Sequence, residues 1–262
     1  MSHPAAHQVP RLNRLRNLWA DGGCAFGVVA TIPSVQTVQV LARSGLDFMI
    51  VDMEHGPIDL QAAHGMIAAS SGTPLVPLVR VSGKEAWHAK VPLDIGAMGV
   101  CFPMTNSRQD AENVVKATRY PPLGERLWGP FYAPLGWGIT MSEYLSRADE
   151  EVLAVAVLES IDALESVADI ARTPGLDLVF IGPRDLATSM GLRGHPEHPD
   201  VQAAIAKFEK AIEGSTVILG GVATSAEQGL AMRHRGYRAL VVGFDWSLLQ
   251  RGVTAALEGM PR

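Results

Sequence analysis

The chain has 262 residues, 47% of them apolar, and a formal charge of -5. That length suits one α/β barrel domain spanning 1–262 with a large core. The mild acidity argues against nucleic-acid binding, which needs a basic surface. No run of like charges marks a tail or a membrane patch, and no stretch approaches a membrane span.

The first residues, "MSHPAAHQVPRLNRL", lack the apolar segment of a signal peptide. The first ten are expected to be loosely attached. Cys24 and Cys101 lie far apart, in apolar surroundings and without CxxC or zinc spacing. They read as buried free thiols of a reduced, cytoplasmic compartment.

An amphipathic helix over 11–21, "RLNRLRNLWAD", opens the chain. Short apolar runs then alternate with helical patterns. Strands are predicted near 25–30, 48–53, 75–81, 99–104, 152–158, 177–182, 216–222 and 239–244. Nearly continuous apolar runs are what parallel strands covered by helices require. Intervening segments such as "SVQTVQVLARSG" and "IDALESVADIARTPG" begin on Ser or Asp caps, or follow one, and close near Gly. Eight β–α repeats predict a (β/α)8 TIM barrel with an extra N-terminal helix. A doubly wound open sheet is the alternative, but no GxGxxG follows the first strand. One connection is long. About fifty residues separate strands four and five, including "YPPLGERLWGPFYAPLGWG" (120–138). It reads either as a cover over the barrel mouth or as a subunit contact.

Barrel enzymes place their chemistry where strands end at the C-terminal side. Strand two ends on Asp52, Glu54 and His55, strand three on Arg80, strand five on Glu159, and strand eight on Asp245. Strand six runs into "GPRD", which delivers Asp185, and "KVPLDIGA" after strand three is expected to place Asp94 near the same rim. Glu159 and Asp185 on neighbouring strands are either ligands for one hard divalent cation or salt-bridged rim residues. His55 is a candidate general base, with a hydrogen-bonded structural histidine as the plain alternative. Asp52 reads as a cap beneath the rim. Arg80 can fork onto a substrate carboxylate or close an internal salt bridge to Glu54 or another rim acid. A Schiff-base site would need a desolvated lysine at a strand end. Lys84 and Lys90 lie nearest the rim, but in a loop and a helix. His195 and His198 in "RGHPEHPD" have metal-like spacing, but their prolines suggest a surface loop.

These segments resemble one family in order and content. The pieces are "DFMIVDMEHGPID", "VRV" with Arg80, "LDIGA", "ATRYPPLGER", "LES" with Glu159, and "DLVFIGPRDLATSMG". Together they resemble the HpcH/HpaI family, the metal-dependent class II pyruvate aldolases related to the citrate lyase β-subunit. The resemblance implies a small-molecule lyase that reversibly cleaves a 4-hydroxy-2-oxoacid to pyruvate, or a close 2-oxoacid such as hydroxypyruvate, and an aldehyde. It implies a divalent metal ion (Mg2+, Mn2+ or Co2+) held by Glu159 and Asp185. It also implies Arg80 at the 2-oxoacid, Gly182, Pro183 and Arg184 around its carboxylate, and a His55–Asp94 base dyad. A homohexamer, with a terminal helix packed on a neighbour, is implied as well.

Three departures bear on substrate choice. Val157 stands where many members have Gln, no Trp follows the first strand, and "LWGPFYAPLGWG" replaces a glycine and basic residues after "GER". The last suggests an apolar mouth and a bulky or aromatic aldehyde. The other readings are a citrate-lyase-like enzyme acting on a CoA thioester and a non-catalytic ligand-binding barrel. The first expects a basic groove that so acidic a chain does not advertise. The second sits poorly with an intact set of rim residues.

Overall fold

The computed structural model describes residues 13–260; the expected loose first ten residues lie outside them. Eight parallel strands close into a barrel: β1 (Ala25–Ala30), β2 (Phe48–Asp52), β3 (Val76–Arg80), β4 (Gly99–Phe102), β5 (Leu153–Leu158), β6 (Leu178–Ile181), β7 (Ile218–Val222) and β8 (Tyr237–Phe244). This is the (β/α)8 barrel that the alternating pattern predicted, and the open-sheet alternative falls because β8 pairs with β1. Strands of four to eight residues carry an almost wholly buried pattern, as two covered faces demand.

The interior is filled from both sides. A Cβ at Gly27 would overlap the Phe48 ring, and one at Gly220 the Phe180 ring. These two glycines therefore let the rings approach across the barrel, to 6.2 Å between centroids.

Between the strands run α2 (Val35–Leu41), α3 (Leu60–Ala69), α4 (Trp87–Asp94), α5 (Arg108–Thr118), α8 (Ile161–Ile170), α9 (Pro183–Ser189), α10 (Pro199–Ile212) and α11 (Ala226–His234); α12 (Asp245–Leu257) follows β8. Ser34, Asp59, Ser107, Ser160 and Ser225 each accept a backbone N–H in the first turn of the following helix. Each cap satisfies one donor left orphaned at a helix start and starts the return leg at the strand's end.

The extra helix α1 (Arg14–Ala20) begins three residues later than the pattern suggested. Its cap, Asn13, donates to the carbonyls of Met98 and Glu151 at 3.2 and 2.8 Å, tying the helix to the N-terminal end of the barrel. The long connection contains α6 (Ala133–Trp137) and α7 (Met141–Glu151). No helix among the described residues is long and apolar enough to cross a membrane.

Candidate active site

Adjacent strands β2 and β3 end in register, Asp52 beside Arg80. The Asp52 carboxylate is fully buried and accepts Arg80 Nε at 2.9 Å and Nη2 at 2.6 Å. It also accepts the backbone N–H groups of Glu54 and His55 at 3.1 and 3.2 Å. Asp52 is thus the cap expected beneath the rim. Arg80 closes the internal salt bridge as well, its Nη1 lying 3.2 Å from Glu54 Oε2. A Cβ at Gly56 would collide with the Asp52 carbonyl, so only glycine allows this tight exit from β2. His55 stands on the outer side of the rim with its side chain 64% exposed, its Nε2 3.6 Å from Glu54 Oε2.

Across the mouth, Glu159 is buried at the end of β5. Its Oε1 accepts the Met104 N–H at 2.7 Å. Met104 takes a left-handed φ of 48°, uncommon for a non-glycine residue, and this turn ends β4 early. Glu159 Oε2 is left facing Gly182. A Cβ built at Gly182 would lie 3.0 Å from Glu159 Cβ, 3.2 Å from Glu159 Oε2 and 3.7 Å from Asp185 Oδ2. Two carboxylate oxygens therefore flank the bare face of Gly182, which a methyl group would crowd. Burial pushes the Glu159 carboxyl up to about 7; the Met104 bond opposes this, while Glu54 and Asp185 add to it. Glu54 is likewise raised, first by burial, with Arg80 and His55 pulling it down. Three acids converge here, and hard oxygen donors flanking a cradle fit a divalent cation of the Mg2+ or Mn2+ type. Among the described residues no cluster of three or more His, Cys, Asp or Glu side chains could hold a metal. A two-carboxylate site leaves positions for water and substrate.

Arg80, Glu159, Gly182, Pro183, Arg184 and Asp185 line one cavity of about 830 Å³. Its inner wall is apolar, with Val29, Ile50, Val157, Phe180 and Val241. Cys101 also lines it, but burial pushes this thiol up to about 12, which keeps it protonated and inert. No lysine lines the cavity. Lys84 is half-exposed and paired with Asp110 at 3.2 Å, and Lys90 is exposed on α4. Neither is the desolvated amine of a Schiff-base site.

Other expectations are corrected by the direction of the helices. Asp94 is the last residue of α4, five residues before β4 begins. Helices run back antiparallel to the strands, so Asp94 lies at the N-terminal end of the barrel, opposite the rim. Its carboxylate meets Arg126 Nη2 at 3.1 Å, not His55 of the same chain. The 120–138 connection follows α5, another return helix, and so occupies the same far end. Trp137 Nε1 donates to the Gly96 carbonyl there at 3.1 Å. It cannot cover the mouth of its own barrel, and the aldehyde preference argued from it has no footing within one chain. Asp245 is structural. It is buried and accepts Thr31 N–H at 3.0 Å, Thr31 Oγ1 at 2.8 Å and Ile32 N–H at 2.8 Å, fastening β8 to the β1 exit. His195 pairs with Glu197 at 3.2 Å and His198 caps α10, as a surface loop would.

The sequence profile of the HpcH/HpaI aldolase/citrate lyase family matches residues 31–251. The chain belongs to this family. A hydroxypyruvate/pyruvate aldolase of Pseudomonas aeruginosa is 35% identical over 244 residues, covering 92% of this chain and 90% of that protein. A 4-hydroxy-2-oxo-heptane-1,7-dioate aldolase of Salmonella dublin is 33% identical, covering 93% and 92%. The crystal structure of an HpcH/HpaI family protein from Burkholderia cenocepacia superposes with a TM-score of 0.87 at 33% identity, covering 94% of this chain and 98% of that one.

Within this member of the family, two contributors escaped the sequence reading. Met104 acts through a backbone N–H, which has no side-chain signature. Arg126 sits in the quoted "GER" motif, yet its contacts with Asp94 and Tyr144 are ones that only the fold supplies.

Proposed function

We propose that this protein is a class II, divalent-metal-dependent aldolase, a carbon–carbon lyase. It would cleave a 4-hydroxy-2-oxoacid reversibly to pyruvate, or a close 2-oxoacid such as hydroxypyruvate, and an aldehyde. The observation that carries this reading is the cradle between Glu159 and Asp185, opening into the same cavity as Arg80. Glu159 and Asp185 would hold the cation, which when bound would supply Lewis acidity toward the 2-oxoacid.

The chain's own residues do the rest. Cleavage leaves an enolate, and its negative charge develops within reach of the Arg80 guanidinium. Asp52 and Glu54 hold that group in place before reaction, so little reorganisation is needed when charge appears. Gly182, Pro183 and Arg184 bind the carboxylate end of the substrate. The apolar wall of Val29, Ile50 and Val157 limits water around the reacting carbon. His55, at the rim outside the cavity lining, removes the 4-hydroxyl proton in cleavage, directly or through a water, and returns it in synthesis.

Asp94 can serve His55 only from another copy, since the two stand at opposite ends of one barrel. Such a contact can repeat around a closed ring or be exchanged reciprocally across a two-fold axis, and a homohexamer built as a trimer of dimers offers both kinds of interface. Two exposed apolar surfaces support assembly: Leu127, Trp128, Phe131 and Leu135 beside Asp94, and Trp246, Leu249, Val253 and Leu257 along α12. Free, buried Cys24 and Cys101 support a reduced, cytoplasmic setting.

The test is exchange of the pyruvate C3 protons with deuterium, followed by NMR with Mg2+ or Mn2+ and with EDTA. Exchange that requires the cation is expected. No exchange with any divalent ion would favour an inert barrel.

A further inference from the structure

We propose that Arg126 is a positioning residue for Asp94, fixing one carboxylate oxygen so that the other is presented outward to the neighbouring copy's His55. The inference rests on the aldolase reading above and on Asp94 acting between chains.

Arg126 is an expensive residue to bury. Its side chain is 1% exposed. The guanidinium lies 4.6 Å from the Tyr120 ring centroid and 5.5 Å from that of Tyr144. One nitrogen, Nη2, donates to Tyr144 Oη at 2.8 Å and to Asp94 Oδ1 at 3.1 Å. Nε and Nη1 are buried without a hydrogen-bond partner. Each of these donors has given up its water and gained no bond in return, which destabilises the fold. A buried ion pair of this kind is weak evidence of a stabilising role, because apolar residues of equal volume do as well or better. Stability alone therefore does not account for a charge here.

The geometry of Asp94 supplies the account. Its side chain is 22% exposed, and among the described residues its one ion pair is with Arg126. Oδ1 is held. Oδ2 faces Gly129, where a Cβ would stand 2.9 Å away. Any larger residue would crowd that oxygen, so glycine keeps it open. Exposed Leu127, Trp128, Phe131 and Tyr132 surround the position, a rim that a second chain would cover and dry. Burial favours the neutral acid at Asp94, and the Arg126 charge opposes it. The same contact orients the carboxylate and favours its ionised form. The two rings hold the guanidinium plane, which Lys could not replace with a point charge.

The test is a double-mutant cycle in the full-length protein, with Mn2+, following pyruvate release from 4-hydroxy-2-oxoheptane-1,7-dioate. Arg126→Gln and Arg126→Lys are each combined with Asp94→Asn. In the wild-type background Arg126→Gln is expected to lower kcat roughly 10–100-fold, less than the roughly 10²–10⁴-fold of losing an acid–base group outright, because Arg126 acts only through Asp94. In the Asp94→Asn background the same change should cost less than about twofold, because coupled groups are not additive. Mn2+ affinity measured by calorimetry should stay unchanged, since Arg126 acts on Asp94 and Tyr144 and on neither cradle carboxylate. An equal loss in both backgrounds would show Arg126 to be merely structural and overturn the proposal, as would no loss at all. If Arg126→Gln does not fold, Arg126→Lys carries the cycle with the same criterion. Wild-type protein with neither cleavage nor cation-dependent pyruvate exchange would instead sink the aldolase reading, and this inference with it.

Discussion

Arg80 and Asp52 face each other across neighbouring strands and share two hydrogen bonds, Nη2 to Oδ2 at 2.6 Å and Nε to Oδ1 at 2.9 Å. The pair is both structure and chemistry. Asp52 has no exposed surface, so it relies on Arg80 and two backbone donors for its charge. Arg80→Met should therefore destabilise the fold by about 3–5 kcal/mol, the cost of stranding a buried charge. Arg80→Lys keeps the charge but loses the fork. It should fold and yet lose at least tenfold in kcat/KM. Urea melts and steady-state kinetics on the two variants separate these effects; full activity in Arg80→Lys would remove Arg80 from the reaction.

Glu159 links the site to pH. Its carboxyl is raised to about 7 in the folded protein, chiefly by burial. A raised carboxyl favours folding while protonated, and that advantage is lost as pH climbs from the ordinary carboxylate range through about 7. Glu159→Gln, which stays neutral, should therefore stabilise the metal-free protein above neutral pH by up to about 3 kcal/mol. The two proteins should melt alike below about pH 4. Melting in EDTA across this range tests it, and a constant difference at every pH would refute the assignment.

Gly182 should be the most sensitive small residue in the cradle. Its φ of -96° and ψ of 87° do not require glycine, so the backbone conformation itself does not forbid alanine. The added methyl would sit between Glu159 Oε2 and Asp185 Oδ2. Gly182→Ala is expected to fold with Glu159 pushed aside by a few tenths of an ångström, and to bind Mn2+ at least tenfold more weakly by calorimetry. Unchanged affinity would place the cation elsewhere.

The exposed stripe on α12 should hold the assembly together. Trp246, Leu249, Val253 and Leu257 recur at helical spacing, each roughly half exposed or more. Replacing Leu249 and Val253 with Asp should shift the protein to smaller species in sedimentation and abolish aldol cleavage. An intact oligomer with full turnover would assign the stripe to another role.

The alternation of apolar runs and capped helices was enough to determine the barrel, because period and chain order are local properties that a linear sequence records. Strand ends were equally legible. Asp52, Arg80, Glu159 and Asp185 all stand where their position after an apolar run puts them. The tertiary structure alone decided which end of the barrel each remaining residue joins. Asp94 reads as a rim residue, and the 120–138 connection as a mouth cover or a subunit contact, until α4 and α5 are seen to run back along the strands. A parallel barrel implies that reversal, but only the observed bounds, with α4 ending on Asp94, show which end of its helix the residue occupies. It also decided the backbone contributions: the Met104 N–H on Glu159, the open space at Gly182, and the Tyr120–Arg126–Tyr144 stack. These depend on close approach between segments far apart in sequence, and residue type gives no sign of them.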